Sequence, residues 1–268
     1  MNAPIRLFFY RAKSGIPNFG DELSPEVVAF LTGRRVERTG RWRCDLTGIG
    51  SILNRYVEPK GRAVSAIRSA LGYPVMVWGS GLISDRPAKR NSLKILAVRG
   101  QFTRDALGAP QETPLGDPGL LVAKMMKVGR SRKGIGIVPH YTDKNHEMVR
   151  ALSSLSGVRV IDVERGGHEV CAEIAACSVV FSSSLHGLIV ADAFGIPNQR
   201  LKFGGNLKGG DFKFMDYASA LGRQEMNAKK LSAPEEVFGL AKLDLNLAYQ
   251  ARVDRICGDL ERAIKGVF

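Results

Sequence analysis

Short apolar runs alternate with helical patterns along most of this chain, and this alternation restricts the fold more than any other feature. Strands that alternate with helices are typical of α/β proteins with parallel sheets. The runs that predict strands lie at residues 5–10, 75–81, 92–100, 133–139, 158–163, 178–184 and 197–203. Helical patterns follow most of them, at residues 24–33, 101–108, 144–155, 168–177, 185–194 and 237–268. In the first helix we expect Ser24 to act as N-cap and Gly33 to end it.

The amino-acid composition changes around residues 109–134, where a Pro- and Gly-rich stretch is followed by a basic one. This change separates two α/β series. We therefore predict an N-terminal Rossmann-like domain over residues 1–125 and a C-terminal one over 126–268. We also expect the last helix to pack back on the first domain. A cleft between two such domains is a natural place for a ligand.

The charge of the chain favours anionic partners. With 39 Lys and Arg against 26 Asp and Glu, the formal net charge of the 268 residues is +13. The basic residues are dispersed, with modest clusters at 33–43 and 128–134, and no nucleic-acid-binding signature accompanies them. Peripheral contact with an anionic membrane explains the charge equally well, and solubility accounts for part of it.

Neither a membrane span nor a metal or disulfide site is predicted. Each apolar run is too short to cross a bilayer, so we expect a cytoplasmic protein. The cysteines are scattered and are expected to be buried reduced thiols; they are Cys44, Cys171, Cys177 and Cys257. No resident cofactor and no metal ion are expected.

The stretch SSSLHGLIVADAFGIP (182–197) is the most informative local pattern. If a strand ends near Ser183 and a helix begins at Leu185, Ser184 takes the N-cap and His186 lies in the first turn. The carboxyl edge of a parallel sheet is where ligands bind, and a helix N-terminus favours anions. Gly187 would let a ligand approach the backbone, and we expect Ser183, Ser184 and Gly187 to contact the substrate. The simpler alternative is a histidine that only bonds a neighbouring loop.

Further polar residues follow other predicted strands. Their ordinary roles are capping, turn formation or surface charge, but together they place basic and proton-carrying groups at strand ends in both halves. A guanidinium at such an edge can bind a carboxylate or phosphate through two hydrogen bonds. The two-glycine stretch lacks the third glycine of a dinucleotide fingerprint, so we reject NAD binding. The candidates are Asn18, Asp21, Gly79, Ser80, Arg99, His140, Lys144 and Lys213.

Taken in order, these motifs resemble the polysaccharide pyruvyl transferase family. The resemblance is carried by NFGDELSPEVV, GSGLI, AVRGQFTRDALG, LGDPGLL, IGIVPHYTDKN, CSVVFSSSLHGLIVADAFGIP and KFMDYASALG, from about residue 18 to 222. It implies two Rossmann-like domains in an arrangement like glycosyltransferase B. The short bacterial members linked to exopolysaccharide assembly are the most similar.

The resemblance implies transfer of the enolpyruvyl unit of phosphoenolpyruvate to a hexose, giving a cyclic pyruvate ketal and phosphate. The family histidine falls on His186 and the strand-end arginine on Arg99. The family commonly has an arginine two residues before the histidine; here Ser184 stands there, and Lys144, Lys202 or Lys213 is expected to supply the charge.

In the mechanism that this implies, His186 is either the general acid at C3 of the donor or the base for the acceptor hydroxyl. Asp21 orients or deprotonates the acceptor. The implied partners are phosphoenolpyruvate and a lipid-linked sugar at the inner face of the membrane.

Two other functions are compatible with the sequence. A glycosyltransferase that uses a nucleotide sugar would share the architecture, and a non-catalytic polyanion-binding protein would explain the charge. The sequence leaves open the acceptor sugar and its hydroxyls, the ketal stereochemistry and the oligomeric state.

Overall fold

The computed structural model describes residues 3–11, 18–88, 92–129, 131–204, 209–223, 226–245 and 247–268. The strands are Ile5–Phe8 (β1), Val36–Arg38 (β2), Leu46–Thr47 (β3), Met76–Trp78 (β4), Lys94–Ala97 (β5), Ile135–Val138 (β6), Val158–Val160 (β7), Val179–Ser182 (β8) and Asn198–Arg200 (β9). The helices are Phe19–Thr32 (α1), Asn54–Val57 (α2), Pro59–Ala70 (α3), Gln101–Leu107 (α4), Val122–Met125 (α5), Glu147–Ser153 (α6), Gly167–Ala175 (α7), Leu185–Ala193 (α8), Phe212–Leu221 (α9), Glu236–Ala241 (α10) and Gln250–Lys265 (α11). A short 3-10 turn at Pro118–Leu121 precedes α5.

The strands form two sheets in which every pairing is parallel. The first sheet has the order β2-β1-β3-β4-β5 and the second the order β7-β6-β8-β9. The predicted fold class, α/β with two Rossmann-like parallel sheets, is confirmed. Each order reverses direction once, between β1 and β3 in the first sheet and between β6 and β8 in the second. Ligands of such sheets bind in the crevice beyond the carboxyl ends of the strands at this point.

Helix α1 begins earlier than the sequence indicated. Its N-cap is Asn18, whose carbonyl accepts from the N–H groups of Asp21 and Glu22. The predicted N-cap, Ser24, lies inside the helix, where its buried Oγ accepts from the N–H of Ile49 at 3.2 Å. That hydroxyl therefore ties α1 to the loop after β3 and is not needed as a cap. The helix does end as predicted, at Gly33, whose φ of 64° places it in the left-handed region.

The elements between residues 34 and 72 were not predicted. Strands β2 and β3 are only three and two residues long, so neither leaves an apolar run in the sequence. Strand β2 is an edge strand with mostly exposed side chains, which removes the alternation that marks a half-buried strand.

One large hydrophobic core joins the two halves. It combines side chains of β1 and α1, such as Leu7 and Leu23, with Val138 of β6, Leu188 of α8 and Leu260 of α11. Helix α11 lies against the first sheet as well as α8, and the buried indole of Trp78 donates to the carbonyl of Leu260 at 2.9 Å. The predicted domain boundary near residue 125 stays a prediction. The strands from β6 onward form the second sheet, but α11, which follows them in the chain, packs against the first sheet.

No helix in the described ranges is both long enough and apolar enough to cross a membrane.

Candidate active site

A cleft of about 640 Å³ lies where the carboxyl ends of the two sheets meet. The loop after β1 and the start of α1 supply one wall, and the segments after β6 and β8 supply the other. Of the residues predicted from the sequence, those that line the cleft are Asn18, Asp21, His140, Ser184, His186 and Lys213. Side chains from both halves thus meet at the reversal point of each sheet, where the topology favours a ligand.

His186 lies in the first turn of α8, which begins at Leu185 as predicted. Ser184 occupies the N-cap position in an extended conformation, although its own side chain makes no capping hydrogen bond within the described chain. Instead, the Oγ of Ser182 accepts from the N–H of Ser184 at 3.0 Å and donates to the carbonyl of Val138 at 2.7 Å. Ser182 therefore shapes the turn that presents Ser184 and His186 to the cleft.

The Nε2 atom of His186 is buried and has no hydrogen-bond partner among the described residues. Such unpaired buried nitrogens are uncommon in native proteins, which makes this one a candidate for a ligand contact. Burial, together with the positive charges of Lys213 and Arg99, lowers the pKa of His186 to about 3. The imidazole is therefore neutral in the free protein, and burial is the main cause. The rings of Phe19 and His186 lie nearly perpendicular to each other, at a centroid distance of 6.3 Å.

Asp21 lies in the first turn of α1 on the opposite wall and is only 6% exposed. Burial raises the pKa of its carboxyl to about 7, against the opposing effect of a hydrogen bond from Asn18. That bond runs from Nδ2 of Asn18 to Oδ2 of Asp21 at 2.8 Å. The carboxyl can hold a proton near neutral pH, which an exposed aspartate cannot.

Ser183 and His140 belong to one hydrogen-bonded group at the ends of β6 and β8. The Oγ of Ser183 donates to Oδ2 of Asp143 at 2.6 Å and accepts from the N–H of His140 at 2.8 Å. Ser183 is buried behind the wall, so it positions its neighbours and is not itself at the cleft surface. Burial and the nearby Lys213 lower the pKa of His140 to about 4.

Lys213 extends from α9 into the cleft. Burial and the charges of Arg99 and Arg200 lower its pKa to about 8. Within the part of the chain that the structure describes, it makes no ion pair with a carboxylate. Lys144, by contrast, pairs with Glu164, and both it and Lys202 lie outside the lining of the cleft. Of these three lysines, Lys213 is the one placed to meet an anion.

The guanidinium of Arg99 is fully buried, so the predicted direct grip on a donor anion does not fit its position. Its Nη2 and Nε lie 2.9 and 3.0 Å from Oδ2 of Asp216. Nη1 donates to Oγ of Ser51 at 2.5 Å, and Nη2 also donates to the carbonyl of Leu82 at 2.6 Å. Because Ser51 lines the cleft, its hydrogen bond with Arg99 fixes the wall there. The buried guanidinium also adds positive potential to the cleft from behind this wall.

Three further residues that were predicted to contact the substrate pack inside the protein and do not line the cleft. A Cβ on Gly187 would come within 2.4 Å of Oγ of Ser182, so this glycine lets α8 lie close to the sheet. A Cβ on Gly79, whose φ is 80°, would meet Pro118 at 2.2 Å. The hydroxyl of Ser80 is buried and donates to the carbonyl of Gly48.

Sequence reasoning missed several cleft residues from the first half. Arg41, Arg55 and Arg86 line the cleft, and none has a carboxylate partner among the described residues. Arg41 belongs to the basic cluster at 33–43, whose sequence indicates positive charge but not a place at the cleft. Arg55 stacks near the ring of Tyr10, with its Cζ 5.2 Å from the ring centroid.

The sequence pattern of the polysaccharide pyruvyl transferase family matches residues 62–198, which is just over half of the chain. The chain belongs to this family. The matched region contains the turn with Ser184 and His186, as well as Arg99 and His140, whereas Asp21 and Lys213 lie outside it.

Two curated proteins are similar to this family member over most of its length. The succinoglycan biosynthesis protein ExoV of Rhizobium meliloti (strain 1021) is 28% identical over 217 residues, covering 80% of this chain and 64% of ExoV. An uncharacterized protein of Acanthamoeba polyphaga mimivirus, L143, is 31% identical over 183 residues, covering 65% of this chain and 64% of L143. The chain therefore spans slightly less than two thirds of each relative.

Glycosyltransferases are among the solved structures with some likeness to this family member. The spinosyn rhamnosyltransferase SpnG aligns with a TM-score of 0.41 at 12% identity, covering 96% of both chains. SnogD from Streptomyces nogalater gives 0.36 at 13% identity, covering 96% of this chain and 95% of its own. Likeness at this level carries no argument about activity.

Proposed function

We propose that this protein transfers the enolpyruvyl group of phosphoenolpyruvate to a hexose of an exopolysaccharide repeat unit. The product is a cyclic pyruvate ketal, and phosphate is released. The observation that carries the proposal is the unpaired buried Nε2 of His186 at the start of α8, in a cleft that also holds Asp21 and Lys213. Family membership supports pyruvyl transfer to a polysaccharide, and the likeness to a succinoglycan biosynthesis protein supports a role in exopolysaccharide synthesis.

The wall of the cleft that is formed by the segments after β6 and β8 suits a small donor with two anionic groups. Phosphoenolpyruvate carries a phosphate and a carboxylate on three carbons, so its site needs fixed positive charge and N–H donors. The N-terminus of α8 supplies backbone N–H groups and the positive end of a helix dipole. Lys213 supplies a charge that is not neutralised by a described carboxylate, and it takes the place of the arginine that the family commonly has at position 184.

The acid and base roles follow from the two shifted pKa values. Asp21, with a pKa of about 7, holds a proton that it can give to C3 of the donor. His186, with a pKa of about 3, is neutral and can take a proton from the acceptor hydroxyl. Pairs of groups whose environments move their pKa values in opposite directions are a common basis for such a division. A bound phosphate would raise the pKa of His186 and strengthen it as a base.

The atoms balance without an added oxidant or reductant. The first acceptor hydroxyl forms a bond from its oxygen to C2, while C3 gains a proton and becomes a methyl group. The second hydroxyl then attacks C2, and the bond between C2 and the phosphate oxygen breaks with its electron pair on phosphate. The proton of the second hydroxyl leaves with phosphate. The proton that His186 takes from the first hydroxyl replaces the one that Asp21 gives to C3, so both groups regain their starting states. No resident cofactor takes part in this scheme.

The first-half wall is the proposed acceptor side. The volume of about 640 Å³ leaves room for a sugar beside the donor. Arg41 and Arg55 there suit an acceptor that carries phosphate, as a lipid-linked sugar at the inner face of the membrane does.

The decisive experiment combines donor binding with turnover. We expect calorimetry to detect phosphoenolpyruvate binding, and phosphate release to require a lipid-linked hexose acceptor. His186→Gln and Asp21→Asn should keep donor binding and lose phosphate release. Binding of UDP- or GDP-sugars in place of phosphoenolpyruvate would favour a glycosyltransferase. Binding of heparin or nucleic acid with a steep salt dependence, and no donor binding, would favour a polyanion-binding protein.

A further inference from the structure

Three large apolar side chains project from one end of α3 into solvent. Among the described residues, Tyr73, Leu71 and Ile67 are the most exposed large hydrophobic side chains, at 68%, 66% and 61%. Single exposed hydrophobic residues are common on soluble proteins, but a group at one helix end indicates an interaction surface. Ala63, Ala66 and Ala70 are also exposed, so the outer side of the helix is apolar along most of its length.

The end of α3 is held in a defined conformation. Nε of Arg68 donates to the carbonyl of Tyr73 at 3.0 Å, and its Nη1 donates to the carbonyl of Trp42 at 3.0 Å. Gly72 adopts a φ of 81°, which lets the chain turn directly after the helix. The inner side of α3 packs so closely on α2 that a Cβ on Gly61 would meet the carbonyl of Arg55 at 2.1 Å. The apolar side chains are therefore presented outward by a fixed structure.

Positive charge surrounds this apolar group. Residues 59–74 contain Lys60, Arg62 and Arg68 and no acidic residue. The segment 33–43, which Arg68 ties to α3 through Trp42, contains five arginines and a single glutamate. An apolar stripe flanked by Lys and Arg is the pattern of helices that lie in the interface of an anionic bilayer. Each basic residue near such a surface adds attraction that falls with rising salt.

We propose that α3 and residues 71–73, together called the α3 surface, bind the surface of an anionic lipid bilayer. Ile67, Leu71 and Tyr73 enter the boundary between headgroups and acyl chains, and Lys60 and Arg62 contact the headgroups. The surface adjoins the cleft, because Arg55 and Glu58, just before α3, line it. Delivery of a lipid-linked acceptor to that cleft rests on the proposed function, whereas bilayer binding does not.

Tryptophan fluorescence can report the contact between the α3 surface and a bilayer. Its two tryptophans differ in position: Trp78 is fully buried, while Trp42 is partly exposed and lies beside Arg68 of α3. Binding to vesicles of phosphatidylcholine and phosphatidylglycerol should shift the Trp42 emission to shorter wavelength. Lipids brominated near the headgroup should quench it. Trp42→Phe should remove both effects and leave the vesicle binding measured by flotation nearly unchanged.

The test uses the full chain in vesicle flotation. The triple variant Ile67→Ser, Leu71→Ser, Tyr73→Ser should lower partitioning to the mixed vesicles about tenfold or more. Lys60→Glu with Arg62→Glu should lower it similarly at low salt, and pure phosphatidylcholine should bind little. Leu243→Ser is the matched control, because this leucine is 55% exposed but lies in the second half. Its partitioning should equal that of the wild type.

Three results would overturn the proposal: no binding of wild-type protein to the mixed vesicles, unchanged binding of the triple variant, or binding that does not depend on salt. If the wild type is instead a dimer in sedimentation, becomes monomeric in the triple variant and ignores vesicles, the α3 surface contacts a second copy of the chain. The failure of vesicle binding would leave phosphoenolpyruvate binding untouched, so the two proposals fail separately.

Discussion

The imidazole of His186 occupies the space that a side chain on Gly20 would need. A Cβ on Gly20 would lie 1.9 Å from Nδ1 and 2.1 Å from Cγ of His186. Gly20 belongs to α1 of the first half and His186 to α8 of the second. The absence of a side chain at one position thus sets the location of the candidate catalytic group at the other.

Gly20→Ala should therefore displace the His186 ring and disrupt the cleft. Because glycine is already less favourable than alanine inside a helix, the substitution would otherwise be harmless to α1. We expect phosphate release to fall at least as far as in His186→Gln, with a lower thermal midpoint. Gly239→Ala is the control: it also lies in a helix, but a Cβ there meets no atom within 4 Å. Wild-type turnover in Gly20→Ala would show that the ring position does not matter for the reaction.

Lys213 should hold the donor through its charge. We expect Lys213→Met to weaken phosphoenolpyruvate binding by about tenfold or more, since a buried charge-assisted contact is lost. Lys144→Met removes an equal charge that is already paired with Glu164 and should change affinity little. Calorimetry on both variants decides between the two lysines.

The pH dependence of donor binding gives an independent test of the same residue. The lowered pKa of Lys213, about 8, means that the free protein loses this charge as the pH rises above 8. Donor affinity should fall over that range in the wild type. In Lys213→Arg, the charge persists and the fall should disappear. An identical pH profile in both proteins would remove Lys213 from the donor site.

Asp21 and His186 should give opposite contributions to the pH dependence of stability. The raised pKa of Asp21 means that its stability contribution is present below about pH 4 and lost as the pH rises through 7. The pKa of His186 is lowered from 6.5 to about 3 in the folded protein. Between these values the unfolded chain binds a proton at His186 and the folded protein does not, so stability is lost as the pH falls through this range.

Thermal melts of the two variants measure these contributions. Asp21→Asn, which can keep the hydrogen bond from Asn18, should gain stability relative to wild type from pH 5 to pH 8. His186→Gln should gain relative to wild type as the pH falls from 7.5 to 4.5. Parallel curves for wild type and both variants would contradict the shifted pKa values.

The ion pair of Arg99 and Asp216 should be essential for stability. Both side chains are fully buried, so Asp216→Asn leaves an uncompensated buried guanidinium at a cost of about 3–5 kcal/mol. The exposed pair of Arg35 and Glu37 is the comparison, and Glu37→Gln should cost less than about 1 kcal/mol. Urea unfolding gives both values. A small loss in Asp216→Asn would mean that Arg99 is not confined by this pair.

The sequence alone determined the fold class and the place of the main motif. Short apolar runs bounded by turns gave most of the longer strands, because burial on both faces of a parallel sheet leaves a nearly continuous apolar signal. The same reasoning placed the start of α8 at Leu185 and the end of α1 at Gly33, since an extended residue before a helix and a left-handed glycine after one are local backbone features. It placed the start of α1 too late, at Ser24, whereas the helix begins at Phe19. It failed for β2 and β3: both are too short to leave an apolar run, and β2 is also mostly exposed.

Only the tertiary structure decided which strand-end residues face the cleft. Position in a strand fixes the sheet edge at which a side chain lies, but its direction depends on partners far away in sequence. Arg99 turns inward because Asp216, 117 residues later, neutralises it in the core. Lys213 reaches the cleft because α9 packs against α4, and Gly187 serves packing because Ser182 and Val138 fill the space beside it. Local patterns cannot carry such contacts, since each depends on chain segments that meet only after folding.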